Sequence, residues 1–422
     1  MYANLCFWTM VLLAIAWPVW RQYLNHLDYK STLSGPPKEL EGLYDGEKQQ
    51  KALAFKRDNY RFGTAGSWCH VALLLALLFT GFYGWLADLA ARVPGGLLVQ
   101  TPLVFAAQYL IQELIGVPFG YYHRFVLMER HGFNRSTKKL FWLDALKSLP
   151  LDLLGAVAEP LWAAALYLLF EGKWFWWPVM WITSYLGGLF INTIYPMWIA
   201  PLFNKFTPLP DGELKERAKA LAASTGTRFK NIYVADTSKR HSMANAYFTG
   251  VGRWRRCVLF DVLLKDYTDD EILAILAHEI GHYKQKGLRL LNYTLDFLLA
   301  GLGYFVLAWL VGSDSIAQAL GGGLAASFCL GFIALQRLWR PLQAWLTPMW
   351  VAIGRRMEYD ADAESVRQGF GPAQIAALKR LYKNNLGSLN RHPLWVTWSD
   401  PHPTLLQRVQ FMEKMEQERE KE

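Results

Sequence analysis

The stretch TDDEILAILAHEIGHYKQKGLRLLNYTLDFLLAGLGYFVLAWLVG, residues 268–312, carries two readings in one continuous run. It opens on Thr268-Asp269-Asp270-Glu271, a capping box in which the Thr268 hydroxyl takes a backbone N–H and Glu271 reaches back to the cap. Ile272, Leu273, Ile275, Leu276 and Ile280 then recur at helical spacing to about Tyr283. His278 and His282 stand one helical turn apart on the same face, so both imidazoles reach one ion. Glu279 projects beside them, where it would take a proton from metal-bound water. Residues 288–312 are apolar and long enough to span a bilayer, which takes about 20 residues of helix. Asp269, Asp270, Lys284 and Lys286 flank the histidines, so the motif belongs at the membrane edge and not inside a span.

Outward from this stretch, six further segments are comparably apolar: 3–20, 67–91, 97–120, 149–170, 174–200 and 319–346. Seven expected spans suit a chain that is 53% apolar, 15% aromatic and only 19% charged, against roughly 25% charged in soluble domains. Nineteen tryptophans suit bilayer interfaces. Residues 3–20 lack a preceding basic region and are followed by Trp17-Pro18-Val19-Trp20-Arg21 in place of a cleavage site, so a retained helix is expected. The formal charge of +9 lies between apolar runs and carries no RNA- or DNA-binding motif, so it orients the chain in a bilayer and excludes nucleic acid as partner. Loops 21–66 and 121–148 are rich in Lys and Arg, whereas those near 92–96, 171–173 and 313–318 hold at most one base each. With the N-terminus outside, every basic loop, the long loop 201–287 and the tail beyond 346 share one face, which the positive-inside bias makes cytoplasmic. Glu113, Asp152 and Glu159 fall inside spans, either as helix–helix pairing contacts or facing a wet chamber. Cys6, Cys69, Cys257 and Cys329 form no CxxC pair; three of them, Cys6, Cys69 and Cys329, are expected as buried thiols in or beside apolar runs.

Loop 201–287 reads as a small α/β module. A helix is expected over 211–225, with strands at 231–235, 244–249 and 257–260. The tail Glu413–Glu422 reads as a solvated helix or frayed end. Catalytic zinc needs a third protein ligand and an open position. Downstream stands Arg356-Met357-Glu358-Tyr359-Asp360-Ala361-Asp362-Ala363, with Glu358 and Asp362 one helical turn apart. Glu358 would bind zinc, and Asp362 would accept a bond from a ligand imidazole and fix its tautomer. Asp360 points elsewhere. Four segments follow: transmembrane helices 1–5 over 1–200, a catalytic module over 201–287, helices 6 and 7 over 288–346, and a segment with the third ligand over 347–422.

With these motifs in place the chain resembles the type I CAAX prenyl endopeptidase family, membrane gluzincins. The likeness covers nearly the whole length: seven spans, H-E-I-G-H before the sixth, E-Y-D-A-D after the seventh, Asn245-Ala246-Tyr247-Phe248, and Ser399-Asp400-Pro401-His402-Pro403-Thr404. It implies a mainly α fold, a helical barrel enclosing a chamber, with one Zn²⁺ at the cytoplasmic end. Asn245, Ala246 and Tyr247 would hold an extended substrate on an exposed strand edge. His402 would donate to the developing oxyanion, and Arg408 would pair with a site carboxylate. His26, His70, His123, His131, His241 and His392 have no partner pattern and are read as structural. The expected partners are a peptide or protein, prenylated or not, and the lipid bilayer. The expected site is a bacterial inner membrane, or the ER membrane in a eukaryote, for CAAX-type processing or membrane-protein quality control. Competing readings are a heat-shock-type membrane metalloprotease, a site-2-type protease, and a zinc-binding transporter or scaffold without peptidase activity.

Overall fold

Polar side chains at helix starts decide where the chain enters its long helices. Asn4 accepts the Cys6 N–H at 2.8 Å to open α1 (Leu5–Leu33), and Asp45 accepts the Lys48 N–H at 2.7 Å to open α2 (Gly46–Phe79). After one sharp break come α3 (Phe82–Ala91) and α4 (Leu97–Tyr122), the latter running into a π-helical turn at His123–Met128. Thr137 caps α5 (Lys138–Leu169), and α6 (Trp176–Ile194) follows. The computed structural model describes residues 1–227, 231–249, 256–323 and 327–421, and only the backbone of Asn231, Phe248, Thr249 and Ser327.

A four-stranded sheet comes next: β1 (Phe206–Pro208), then α7 (Glu213–Ser224), β2 (Asn231–Ala235), β3 (Ala246–Thr249) and β4 (Arg256–Phe260). The strand order is β1-β2-β4-β3. β2 and β4 are parallel, with Tyr233 opposite Val258; β3 is antiparallel to β4, with Ala246 opposite Leu259, and forms an edge among the described strands. The short α8 (Asp261–Asp266) leads into α9 (Asp269–Lys284), and α10 (Lys286–Leu310) follows almost directly. Then come α11 (Asp314–Ala319), α12 (Ser327–Trp345), α13 (Thr347–Arg367), α14 (Gly371–Asn384), α15 (Pro393–Ser399) and α16 (Leu405–Arg419).

Five helices among the described residues are long and apolar enough to cross a membrane: α1, α2, α4 with its π turn, α5 and α10. Their outward faces keep large apolar side chains, among them Leu12, Leu114, Trp162, Leu169 and Trp309, which water would not favour and lipid does. A second core, built from Leu259, Leu273, Leu276 and Ile280, lies between the sheet and α9 and takes in Ala377 of α14. A third joins Leu40, Tyr44 and Ala52 near the α1–α2 connection to Val366, Leu378, Leu405 and Met412. The Tyr44 hydroxyl donates to the Tyr382 and Gly387 carbonyls at 2.7 and 2.8 Å. The C-terminal segment is thus clamped between the sheet module and the first helical hairpin.

Several expectations are corrected. The span 67–91 is two helices, because the chain turns at Gly81 (φ 65°) and α3 packs backbone to backbone on the turn after α11. A Cβ on Gly84 would lie 2.1 Å from the Gly321 carbonyl carbon, and the Gly84 N–H donates to the Leu320 carbonyl at 2.9 Å. Most of the basic loops 21–66 and 121–148 is helical, since Lys, Arg, Glu and Gln propagate a helix as readily as apolar residues. Residues 324–326 of the span 319–346 lie outside the described residues, and its described helix is Ser327–Trp345. Of the three cysteines expected as buried, Cys329 is, Cys6 is half-buried and Cys69 is exposed; Cys257 on β4 is buried as well. The tail Glu413–Glu422 is not wholly solvated: Glu416 is buried. Among the charges in the spans, Glu159 accepts the Tyr304 hydroxyl at 2.5 Å, a pairing contact between α5 and α10.

Candidate active site

α9 begins as its capping box requires: the Glu271 N–H donates to the Thr268 hydroxyl at 3.3 Å, and the Thr268 N–H to the Glu271 carboxylate at 2.8 Å. The helix then crosses α13 at very close range, and Gly281 makes this possible. A Cβ there would lie 2.6 Å from the Ala361 Cα. The Ser365 hydroxyl donates across the same crossing to the Ala274 carbonyl at 3.2 Å. So packed, α13 presents Glu358 and Asp362 to His278 and His282, four residues that the helical spacings had paired from sequence.

His278 Nδ1 lies 2.9 Å from Asp362 Oδ1. An ionised carboxylate can only accept, so Nδ1 carries the proton and Nε2 is left with its lone pair toward the cleft. His282 Nε2 stands 3.1 Å from Glu358 Oε1, and His278 Nε2 stands 3.6 Å from Glu358 Oε2. One donor atom from each of His278, His282 and Glu358 falls within 4.8 Å of the others. Glu358 Oε2 is buried and receives no hydrogen bond. Arg408 Nη1 is 3.0 Å away, close enough for charge attraction but off the line of a bond. Two imidazoles and a buried, under-satisfied carboxylate match the donor set of a His₂Glu zinc site, and the residues fit that ion.

Arg408, expected only as a partner of some site carboxylate, is buried. Its Nε and Nη2 grip Asp362 at 2.8 and 2.7 Å in a two-point fork. Burial alone would raise the Asp362 carboxyl; Arg408 and the His278 hydrogen bond overcome it and hold it well below the usual carboxylate range. Glu358 behaves alike: burial pushes it up, but the His282 hydrogen bond and the Arg408 charge bring it to about 2. Both carboxylates therefore stay ionised at any working pH.

His402 reaches the same cleft from the loop between α15 and α16. Its ring stands 3.5 Å from Glu358, and its backbone N–H donates to Asp400 at 3.1 Å. The Asp400 hydrogen bond raises the imidazole above its ordinary 6.5. Glu279 is half-buried on the cleft wall with Asn245, Ala246 and Tyr247 of the β3 edge. The Asn245 amide oxygen accepts the Ala246 N–H at 2.9 Å. Asp360 faces away and pairs with Arg356 at 3.4 Å. None of the six histidines read as structural lines the cleft; His131, for example, pairs with Asp58 at 2.9 Å. Sequence reading missed Tyr267, Gln374 and Tyr382, which also line it. None of them sits in a recognisable motif, whereas Asp400 lies within Ser399-Asp400-Pro401-His402.

The chain is similar to known proteins over nearly its whole length. The sequence model of the CAAX prenyl protease N-terminal region, with five membrane helices, matches residues 25–205, and that of peptidase family M48 matches residues 208–416. A CAAX prenyl protease 1 homolog of Arabidopsis thaliana is 32% identical over 394 residues, covering 89% of this chain and 90% of its own. That of Homo sapiens is 30% identical over 456 residues, covering 96% of this chain and 95% of its own. Among solved structures, the crystal structure of S. mikatae Ste24p superposes with a TM-score of 0.90 at 29% identity, covering 97% of this chain and 99% of that one.

Proposed function

We propose, from the premise that the chain belongs to the CAAX prenyl protease family within peptidase family M48, a role for each residue of the cleft. Membership makes the protein an integral membrane metalloendopeptidase. His278, His282 and Glu358 would hold its zinc. The observation that carries this is the convergence of their donor atoms within 4.8 Å, with His278 oriented by Asp362 at 2.9 Å. Bound there, zinc would polarise the scissile carbonyl and acidify the attacking water. Glu279 accepts the proton of that water and returns it to the leaving amine, a contribution of roughly 10²–10⁴-fold. His402, whose imidazole the Asp400 hydrogen bond raises above its ordinary 6.5, donates to the oxyanion. Arg408 and Asp362 position His278. The substrate backbone adds to the free edge of β3, with the Asn245 amide N–H₂ donating to a substrate carbonyl.

Seven long helices, α1, α2, α4, α5, α6, α10 and α12, would form a barrel around a chamber, as the likeness to Ste24p supports. The basic connection after α4 meets the sheet module, with the Arg135 N–H on the Arg240 carbonyl at 3.1 Å. This favours one cytoplasmic face for the basic loops and the cleft. The names of the relatives suggest a prenylated peptide substrate. Glu279→Gln tests the assignment: zinc content stays near one per chain while peptide cleavage falls by at least roughly 100-fold. Turnover within a few-fold of wild type would remove Glu279 as base.

A further inference from the structure

Away from the cleft, a groove of about 550 Å³ opens between α2 and the end of α4. Charge fixes its level in the membrane. From Gly46 to Arg61, α2 carries seven charged residues, whereas residues 62–79 hold no Asp, Glu, Lys or Arg. α4 reaches the same level from the other direction: up to Tyr122 its one charge is Glu113, and Arg124, Glu129 and Arg130 follow. Both helices leave the apolar layer where Phe62 lies parallel to Tyr122, ring centres 5.8 Å apart, and meets Phe119 at 5.5 Å. Aromatic rings collect at such edges. The three rings line the groove, and Asp58, Arg61 and Arg130 line it too. One oxygen of Asp58 takes both Arg130 Nη1 and His131 Nε2, each at 2.9 Å. That contact uses one of the five N–H donors of Arg130 and holds its exposed guanidinium in place. Arg61 is exposed and has no ion-pair partner among the described residues. Two guanidinium groups thus stand against one carboxylate beside an aromatic wall.

We propose that this groove binds one phospholipid with an anionic headgroup. Its phosphate lies between Arg61 and Arg130, whose planar forks match phosphate oxygens. One acyl chain follows the wall of Phe62, Phe119 and Tyr122 into the apolar layer. A choline headgroup is disfavoured, because its cation would meet the same two guanidinium groups. Basic pockets between membrane helices at a bilayer edge select anionic lipids for this reason. The chain beyond Arg130 runs on to the sheet module, where the Arg135 N–H donates to the Arg240 carbonyl at 3.1 Å. A lipid held by Arg130 therefore braces the connection between the first helical hairpin and that module. The site needs only the membrane embedding and is independent of the peptidase chemistry.

Full-length protein, stripped of lipid in a neutral detergent, would be titrated with dioleoyl phosphatidylglycerol or dioleoyl phosphatidylcholine and followed by native mass spectrometry. Wild type binds one phosphatidylglycerol roughly 10-fold or more tightly than phosphatidylcholine, and its Tm rises by at least about 2 °C. Arg61→Gln and Arg130→Gln each weaken phosphatidylglycerol roughly fivefold, the worth of one basic residue at an anionic membrane surface, and together they abolish the preference. Arg61→Gln leaves the lipid-free Tm unchanged, so its loss of lipid cannot be a loss of fold. Lys139→Gln, which removes an exposed charge outside the groove, keeps the preference. Equal affinity for the two lipids in wild type, or a preference unchanged in the double variant, overturns the site. A loss with Lys139→Gln as large as with the double variant overturns it as well, since net charge alone would then draw the lipid. Inorganic phosphate raising the Tm as much as phosphatidylglycerol overturns a lipid as the occupant.

Discussion

Gly281→Ala separates two views of the H-E-x-x-H helix. By helix propensity alone, Ala for Gly inside α9 gains about 1 kcal/mol. Packing predicts the opposite. The new Cβ would lie 2.6 Å from the Ala361 Cα and 3.0 Å from both the Ala361 carbonyl oxygen and the Glu364 Cβ. Carbon atoms in contact prefer about 3.5 Å or more, so α9 and α13 must part by roughly 1 Å. Overpacking of this kind costs about 1–3 kcal/mol, which outweighs the propensity gain. Asp362 follows Ala361 directly, and the 2.9 Å bond to His278 would stretch to about 3.9 Å, beyond hydrogen-bonding range. Losing that orienting bond weakens zinc roughly 10–100-fold. The assays are the Tm in detergent, zinc affinity by chelator competition, and kcat/KM on a cleaved peptide. A variant with higher Tm and zinc affinity within twofold of wild type would refute the reasoning, since the crossing would then have room to spare.

Two other perturbations probe the same pair of helices. Asp362→Asn keeps the shape but removes the carboxylate that the buried Arg408 grips at two points, leaving it only the Glu358 charge, which should cost about 3 kcal/mol and lower zinc affinity at least tenfold; chemical denaturation and zinc competition read both, and an effect under 1 kcal/mol would contradict the network. Glu364 is pushed up by burial, but Lys284 and Gln368 hydrogen bonds hold it below its ordinary 4.5. A depressed folded value means that its stabilisation is full above pH 4.5 and fades as pH falls through the folded value. Glu364→Gln should therefore lower Tm at neutral pH and flatten the acid limb of the Tm–pH curve, and an unchanged acid limb would contradict it.

What the sequence disclosed depended on how local the cause was. The capping box, His278, Glu279 and His282 follow from spacings within one helix, and Glu358 with Asp362 from spacings within another. Their meeting needed only the chemistry of a metal ligand and its carboxylate partner, so the likeness of motif and the fold agree there. The ends of α1 and α2 were hidden because hydropathy marks where apolar residues stop, while helices continue through Lys48, Lys51 and Arg57. The break at Gly81 rests on Gly84 meeting Gly321, a contact between residues far apart in the sequence. Tyr267 and Gln374 acquire meaning only when α14 folds against α9, which no motif announces.

The central claim is that His278, His282 and Glu358 hold one zinc ion against the cleft. Diffraction from crystals of the active protein, collected on both sides of the zinc absorption edge, tests it most directly. The expected result is one anomalous peak about 2.0–2.2 Å from the Nε2 atoms of His278 and His282 and a carboxylate oxygen of Glu358. An active preparation with no peak there, or with its peak on other residues, would contradict it.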